Sequence, residues 1–223
     1  MININKRMSQ IKDVIRQERP QVALVRVIGW FTYIMEGKIL AYLFGLKGSY
    51  LGRGSRIIGT RFINLGEKVS IGRYGWIEAV ATYTERAYAP VIQIGHGFHA
   101  SERLHIFAIN RIEIGENCLF GTCVYISDHN HGSYKGEEQS HPSEPPVTRN
   151  LVSHGPVIIG SNVWLGDNVT IVGPVKIGNG VVVGANSVVT HDVPDNVIVG
   201  GIPAKILKQF DSNSEQWFLK ENT

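Results

Sequence analysis

Cysteine and charged side chains are scarce in this sequence. Its two cysteines, Cys118 and Cys123, form neither a CxxC metal pair nor the disulfide framework of a small secreted domain. Charged residues make up 18% of the 223 positions and form no Lys or Arg run, so the net charge of +3 does not favour nucleic acid as a partner. A reducing cytoplasm fits the cysteine usage best.

Long hydrophobic runs are also missing. The longest uncharged stretch of the apolar N-terminal region runs from Val27 to Met35, whereas a membrane-spanning helix needs about 20 apolar residues. The opening MININKRMSQ is followed by charged KDVIRQERP and not by an apolar signal core, so no secretory signal is expected. These absences predict a cytoplasmic protein, with the inner face of the plasma membrane as the alternative location.

An aliphatic residue returns every six positions between residues 157 and 194, and a second small or apolar residue follows each one by four positions. A helix would repeat near 3.6 and a two-sided strand at 2, so the spacing predicts short strands cut by Gly, Asn or Asp turns. Such repeats bury their apolar side by stacking on one another. The aliphatic positions are Ile159, Leu165, Ile171, Ile177, Val183 and Val189.

This pattern resembles the hexapeptide-repeat proteins, whose fold is a left-handed parallel β-helix of triangular section with three hexapeptides per coil. The hand comes from the resemblance alone, because right-handed crossovers are the general rule for parallel strands. The fold class expected is an all-β solenoid with N-terminal helices and a long excursion loop. The inward ladders would then pair Ile159 with Ile177, Leu165 with Val183, and Ile171 with Val189.

Residues 1–48 are predicted to form an N-terminal helical segment. A short polar helix over residues 9–19 precedes a longer one from about 21 to 44, whose apolar residues fall at three- and four-residue steps. We expect this apolar stripe to pack on the β-helix or on a sister subunit. The alternative is a helix lying in the membrane surface, anchored by Trp30 and Tyr33. The stripe consists of Leu24, Ile28, Phe31, Met35, Ile39 and Leu43.

The β-helix domain is predicted over residues 49–210, with two interruptions. The first is a loop at about 80–90. The second begins after the repeat position Ile126, and the period resumes only at Ile159, so residues 129–156 form a long excursion. A stretch of that length without repeats, inside a compact repeat domain, is usually functional.

The C-terminal end of the chain closes the repeat. The segment from Asn196 to Lys205 is expected to finish the β-helix. Residues 211–223 are expected to form a tail with a short helix that carries Trp217, Phe218 and Leu219.

The excursion departs at the densest polar cluster of the chain, SDHNHG from Ser127 to Gly132. Group transfer to an alcohol needs a base near neutral pH, which an imidazole supplies, and His129 stands where a strand ends and the loop begins. In an extended chain Asp128 would point to the opposite face, so it is not expected to orient the imidazole directly. His131 would share the face of His129, where it could bind substrate or shape the loop.

Three segments make the resemblance specific: VYISDHNHG, PVIIGSNVWLGDNVTI and VVVGANSVVTHDVPDNVIVGGIPAKILK. Together they resemble the hexapeptide O-acetyltransferases of bacterial O-antigen and colanic acid synthesis, with galactoside, maltose and streptogramin acetyltransferases as more distant relatives. The resemblance covers about residues 57 to 210. It implies acetyl-CoA as the donor, His129 as the general base, and a homotrimer with active sites between subunits. The acceptor implied is a sugar hydroxyl of a surface polysaccharide or of its lipid-linked precursor.

The resemblance also implies which residues hold acetyl-CoA. His191 departs from a lysine that is frequent in relatives, so no phosphate contact is assigned to it. The remaining positions are Trp164, Gly166 and Asp167 around the thioester, Gly184, Ala185 and Ser187 along the pantetheine arm, and Thr190, Lys205 and Lys208 near the adenine and phosphates.

Four residues are candidates for binding the acceptor. Ser101 falls where sugar acetyltransferases often carry an acceptor-binding Asn. His105 lies in the segment LHIFAIN, which the O-antigen branch of the family also carries. Asp128 and His131 are included because they flank the proposed base.

Three other functions compete with this interpretation. An N-acetyltransferase acting on an amino sugar nucleotide would use the same donor and base. A γ-carbonic-anhydrase-like enzyme would need three convergent zinc ligands, but His96 and His99 are three apart and not at the five-residue step of that family. We therefore expect no metal. A non-catalytic β-helix module would not bind CoA at all.

Overall fold

The computed structural model describes residues 17–43, 46 and 48–219. The helix predicted over residues 9–19 lies outside this part of the chain, apart from residues 17–19. Most of the described chain consists of short strands in parallel sheets, as the all-β prediction requires.

A long helix, α1, spans Pro20–Leu43 and confirms the second predicted helix. Proline is favoured in the first turn because its missing N–H would have no partner there. The helix packs on the first coil through its second half, since Leu40 and Ala41 contact the hydrophobic core and the ring of Tyr50 lies directly against Gly37. Tyr33 adds an aromatic contact with Tyr50, with ring centroids 5.3 Å apart.

The predicted apolar stripe of α1 is exposed to solvent. Its members range from 43% exposed at Met35 to 72% exposed at Leu43. The expectation that it packs on the coil of the same chain is therefore wrong, because another side of the helix, with Gly37, Leu40 and Ala41, makes that contact. Packing of the stripe on a sister subunit stays a prediction. Within the described residues, no helix combines the length and the apolarity that crossing a membrane demands.

Most of the described strands belong to three sheets built from parallel strands, which the chain visits in turn as faces A, B and C of a coil. A 3-10 turn at Thr60–Phe62 leads into the first strand of face C. Face A contains Tyr50–Leu51, Ser70–Ile71, His99–Ala100, Leu119–Phe120, Trp164–Leu165, Val182–Val183 and Val197–Gly201. Face B contains Arg56–Ile58, Trp76–Ala79, His105–Ala108, Tyr125–Ser127, Thr170–Val172 and Val188–Val189. Face C contains Ile63–Leu65, Val91–Ile94, Arg111–Ile114, Val157–Ile159 and Val175–Ile177.

The inward side chains of the three faces form the core. The predicted ladders are confirmed, because all three expected pairs stand in register and are buried. Burying an aliphatic side chain of this size stabilises the fold by about 1.5–3 kcal/mol. A slip of one residue would turn every one of them outward, so the hydrophobic pattern fixes the register.

The corners between faces depend on residues that tolerate left-handed backbone. Asn162, Asn168 and Asn186 have φ values of 59°, 57° and 57°, a conformation that asparagine adopts more readily than most residues. At Gly166, a Cβ would lie 2.6 Å from the backbone nitrogen of Ala185 in the next coil. Only glycine permits the coils to stack at that distance.

The C-terminal end turns back on face A. After Val197–Gly201, the strands Ala204–Asp211 and Gln216–Leu219 continue the sheet in antiparallel order. The short helix predicted for Trp217, Phe218 and Leu219 is therefore wrong. Phe210 and Trp217 pair across the two strands with ring centroids 5.2 Å apart, a contact that favours the hairpin.

Candidate active site

Both interruptions of the repeat leave from the same corner, where face B turns into face C. The first loop is a hairpin of Thr82–Tyr83 and Arg86–Ala87, which follows the face B strand Trp76–Ala79. Two coils later, the excursion follows Tyr125–Ser127 and contains the strands Asn130–His131 and Leu151–Val152 and a 3-10 turn at Pro146–Thr148. The coil between them turns the corner through Ile109 and Asn110 alone.

Two tyrosines of the first loop hold the excursion. The hydroxyl of Tyr83 donates to the carbonyl of Val147 at 2.9 Å. The hydroxyl of Tyr88 donates to the carbonyl of Leu151 at 3.1 Å and accepts the N–H of the same residue at 3.0 Å. These hydrogen bonds therefore join the two loops over this corner.

Arg149 organises the excursion from inside. Its buried guanidinium donates to the carbonyls of Glu144 and His141 and to the hydroxyl of Tyr134, the last at 2.7 Å. Sequence reasoning overlooked this residue, because an isolated arginine in a polar loop carries no pattern. A cavity of about 650 Å³ lies between the loops, lined among others by Arg86, Tyr88, Asn110, His141, Arg149 and Ser153.

Asp128 and His129 contact each other directly. Oδ1 of Asp128 lies 2.9 Å from Nδ1 of His129, so the expected separation onto opposite faces is wrong. The chain does not stay extended here, because the buried carboxylate also accepts the N–H groups of Ile109 at 3.0 Å and Asn110 at 2.8 Å. Asp128 has no exposed surface, so its role in the site is to position the residues that bind its carboxylate.

These contacts define what the imidazole of His129 can do. Nδ1 faces a carboxylate, which favours the tautomer that carries its proton on Nδ1. No described residue forms a hydrogen bond with Nε2, so that nitrogen remains available as an acceptor. Ser127 fixes the backbone, since its hydroxyl donates to the carbonyl of His129 at 2.9 Å and accepts its N–H at 3.2 Å.

The other residues that were predicted to bind the acceptor occupy three different places in the fold. The ring of His131 packs edge-on against Tyr83 with centroids 5.3 Å apart, and so belongs to the contact between the loops. His105 is half-buried on face B, where desolvation lowers its pKa. Ser101 follows the face A strand His99–Ala100 and is exposed at the corner between faces A and B.

The predicted donor residues lie elsewhere on the coil. Trp164 is 53% exposed on the outer side of face A, above Leu119 in register. Two side chains of the set already have partners inside the chain, because Asp167 accepts the N–H of Thr122 and buried Ser187 accepts that of Gly201. The set as a whole stacks along the corner between faces A and B and onto the last strands: Gly166, Asp167, Gly184, Ala185 and Ser187 in the corner, Thr190 after face B, and Lys205 and Lys208 in Ala204–Asp211.

His129 and Trp164 lie on opposite sides of the coil. In a three-sided coil, the corner between faces B and C is the one opposite face A. The structure therefore does not bring the predicted base and the predicted donor residues together within one chain. In the part of the chain that the structure describes, no three His, Cys, Asp or Glu side chains are grouped so that they could hold a metal ion.

Residues 156–191 match the family described as bacterial transferase hexapeptide (six repeats). The chain is 44% identical over 128 residues to WbbJ of Escherichia coli (strain K12), named as a candidate lipopolysaccharide biosynthesis O-acetyl transferase. That match covers 57% of this chain and 65% of the relative, so it spans somewhat less than two thirds of the relative's length. The galactoside O-acetyltransferase of the same organism is 29% identical over 84% of each chain.

A solved structure supports the fold. The N-acyltransferase AntD of Bacillus cereus, in complex with dTDP and 3-hydroxybutyryl-CoA, superposes with a TM-score of 0.54 at 20% identity. The superposition covers 75% of this chain and 83% of AntD.

Proposed function

Because the chain belongs to the hexapeptide-repeat transferase family, we propose that it moves an acetyl group from acetyl-CoA to a sugar hydroxyl of a surface polysaccharide or of its lipid-linked precursor. The observation that carries this proposal is the Asp128 and His129 pair, which leaves Nε2 of the imidazole without a partner among the described residues. The carboxylate of this pair also accepts the N–H groups of Ile109 and Asn110, which line the cavity between the loops. The names of the two Escherichia coli relatives support acetyl transfer to a carbohydrate.

In the proposed reaction, Nε2 of His129 accepts the proton of the acceptor hydroxyl as the oxygen attacks the thioester carbonyl. The C–S bond then breaks, and the imidazolium returns its proton to the departing thiolate of CoA. Asp128 holds the ring in place and stabilises the positive charge that forms on it. The products are an acetyl ester and free CoA.

Direct transfer is preferred to a covalent acetyl-enzyme. Cys118 is buried inside the coil, where its thiol contacts the carbonyl of Gly160 and desolvation raises its pKa. A thiol that is both buried and protonated is a poor nucleophile. We therefore propose a ternary complex of enzyme, acetyl-CoA and acceptor.

The separation of His129 from Trp164 supports a site shared between subunits. We propose that the coil is a left-handed β-helix and that three copies form a ring, which brings face A of one copy to the loop corner of the next. The donor would lie along Trp164 and Gly184 of one subunit and reach His129 of its neighbour. Lys205 and Lys208 would meet the phosphates.

The proposed donor also indicates where in the cell the protein acts. Acetyl-CoA is a cytoplasmic metabolite, so we propose that the protein acts in the cytoplasm. The exposed stripe of α1 would allow peripheral contact with the inner membrane, where lipid-linked precursors are assembled.

Calorimetric titration with acetyl-CoA tests the donor assignment without any knowledge of the acceptor. We expect saturable binding at one site per chain and a three-fold assembly by sedimentation. Folded protein that does not bind acetyl-CoA would contradict the proposal. Transfer of radiolabelled acetyl to glycan then tests the chemistry, because hydroxylamine releases an O-acetyl ester and leaves an N-acetyl amide intact.

A further inference from the structure

Aromatic side chains cover the outer side of face B on three successive coils. His105 stands in register with Trp76 on one side and Tyr125 on the other. Phe107 stands in register with Glu78 and Ser127. The outer side of this face therefore carries two adjacent ladders.

The rings of these ladders contact one another. The centroid of Phe107 lies 5.2 Å from that of Trp76, 5.9 Å from that of His105 and 5.9 Å from that of Tyr125. Distances of this size are typical of stabilising aromatic pairs. We call the four residues Trp76, His105, Phe107 and Tyr125 the aromatic ladder.

Polar partners hold Trp76 in position. Its indole N–H donates to the carboxylate of Glu78 at 2.9 Å, and the guanidinium of Arg56 lies 5.4 Å from the ring centroid. An ordered ring beside a carboxylate offers both an apolar surface and a hydrogen-bond acceptor.

The core of the fold lies on the other side of the sheet. The inward residues of these strands, including Ile77, Ile106 and Ile126, are buried, whereas Tyr125 is 38% exposed. On the next two coils the ladder position of Tyr125 is taken by Thr170 and Val188. The aromatic residues are thus confined to the part of face B that precedes the excursion.

The aromatic ladder ends beside the candidate base. Ser127 follows Phe107 in the same outward position, and its hydroxyl lies 3.4 Å from Nδ1 of His129. Ser127 is itself buried, so the exposed part of this strand ends at Tyr125, two residues before Ser127.

We propose that the aromatic ladder binds a glycan chain of two or more sugars, whose last sugar presents its hydroxyl to His129. The C–H faces of sugars pack on aromatic rings, and the carboxylate of Glu78 accepts sugar hydroxyls. Neighbouring strands are about 4.8 Å apart, so three coils span roughly 10 Å, longer than one sugar ring. This inference rests on the proposed function, and it favours an assembled oligosaccharide over a single nucleotide sugar as the acceptor.

Glycan binding in the absence of acetyl-CoA tests the aromatic ladder separately from the chemistry. The probe is the surface polysaccharide of the producing bacterium, isolated from a strain that lacks the gene and cut by mild acid into fragments of one, two and three sugars. We expect the wild-type protein to bind the three-sugar fragment about 10-fold more tightly than the monosaccharide, the amount expected for a well-formed aromatic contact. Saturation-transfer NMR measures these affinities.

Three variants sharpen the test. Trp76→Ala and Phe107→Leu should reduce the affinity for the three-sugar fragment to that for the monosaccharide. Phe107→Leu keeps most of the apolar volume of the side chain, so the variant should fold and a loss of binding can be attributed to the missing ring. The matched control Phe218→Ala removes an exposed ring from the distant C-terminal strand and should retain the preference.

Several results would overturn the aromatic ladder as a glycan site. They are a lack of binding by every fragment, equal affinity for all lengths, and an unchanged length preference in Trp76→Ala and Phe107→Leu. Dissociation of an oligomer by these variants, measured by sedimentation, would show that the aromatic ladder is a subunit contact instead. Length-dependent binding without acetyl transfer would leave the aromatic ladder in place and overturn the proposed function alone.

Discussion

Asp128 and His129 are neighbours in the chain, and their side chains also meet, with Oδ1 of the aspartate 2.9 Å from Nδ1 of the histidine. The contact requires the backbone to turn sharply after Ser127. The turn is held because the same carboxylate accepts two N–H groups from the corner of the preceding coil. One buried side chain thus joins the position of the imidazole to the stacking of the coils.

Replacing the base should abolish catalysis and leave donor binding intact. In His129→Ala, we expect acetyl transfer to fall by about 10²- to 10⁴-fold, the range for loss of a general base. The calorimetric affinity for acetyl-CoA should not change. The control is His131→Ala, since that ring packs on Tyr83 and should affect transfer far less. Normal turnover by His129→Ala would contradict the assignment of His129 as the general base.

Asp128→Asn tests the positioning of the imidazole. The amide keeps the size of the side chain but loses the charge, and a hydrogen bond to a charged group contributes about 1.5–3 kcal/mol, so kcat should fall roughly 10- to 100-fold. Donor affinity should stay the same. Nitrogen-15 shifts of the His129 ring should show a change in tautomer population, which a purely structural role would not produce. Unaltered shifts together with wild-type kcat would contradict this role.

The hydroxyl of Tyr88 should stabilise the excursion. Tyr88→Phe leaves the N–H and carbonyl of Leu151 without that partner, which should cost about 1–3 kcal/mol locally. Hydrogen exchange at Leu151 should accelerate while the core ladders keep their protection. Tyr74→Phe is the matched control, because that ring is 52% exposed. Equal exchange rates in the two variants would mean that the loops are not coupled through Tyr88.

Two glycines of α1 should respond to alanine in opposite ways. At Gly29 nothing lies within 4 Å of an added Cβ, so Gly29→Ala should stabilise the protein by about 0.5–1 kcal/mol through helix propensity. At Gly37 the added Cβ meets the ring of Tyr50, so Gly37→Ala should destabilise it by about 1–3 kcal/mol. Denaturant unfolding measures both. A gain at Gly37 would mean that α1 does not pack on the first coil as described.

The contribution of Cys118 to the free energy of unfolding should decrease at alkaline pH. Burial raises the pKa of its thiol, so the folded state holds the proton more tightly than the unfolded state, where the pKa is about 8.5. Its contribution to stability is complete below that value and is lost as the pH rises toward the folded pKa. The free-energy difference between wild type and Cys118→Ala should therefore shrink from pH 8 to pH 10. A constant difference would show that the thiol does not titrate between the two states.

The repeat could be predicted because it is local. Six-residue spacing fixes which side chains point inward, and the pair Ile159 and Ile177 follows from counting three repeats per coil. The same local signal identified α1 from its apolar stripe. The stripe did not show which side of α1 packs on the coil, because that contact is made by Tyr33, Gly37 and Leu40, which lie outside the stripe.

The site was harder to predict because its contacts cross between coils. Asp128 bonds to Ile109 and Asn110, about twenty positions earlier, and Tyr88 bonds to Leu151 over sixty positions later. No spacing rule connects such residues. The C-terminal hairpin was not predicted for a related reason. Phe210 and Trp217 form a pair only when two strands turn back on face A.

The excursion leaves the coil after Ser127 and returns at Val157, and neither end disturbs the register of the strands on either side. Beyond His131 such an insertion can change in length and composition without altering the coils, whereas Asp128 and His129 at its start are tied to the preceding coil. A lineage could therefore exchange the outer part of the excursion, and with it much of the lining of the cavity, in one step. The proposed base, the aromatic ladder and the coils of the proposed donor site would keep their sequence through such an exchange.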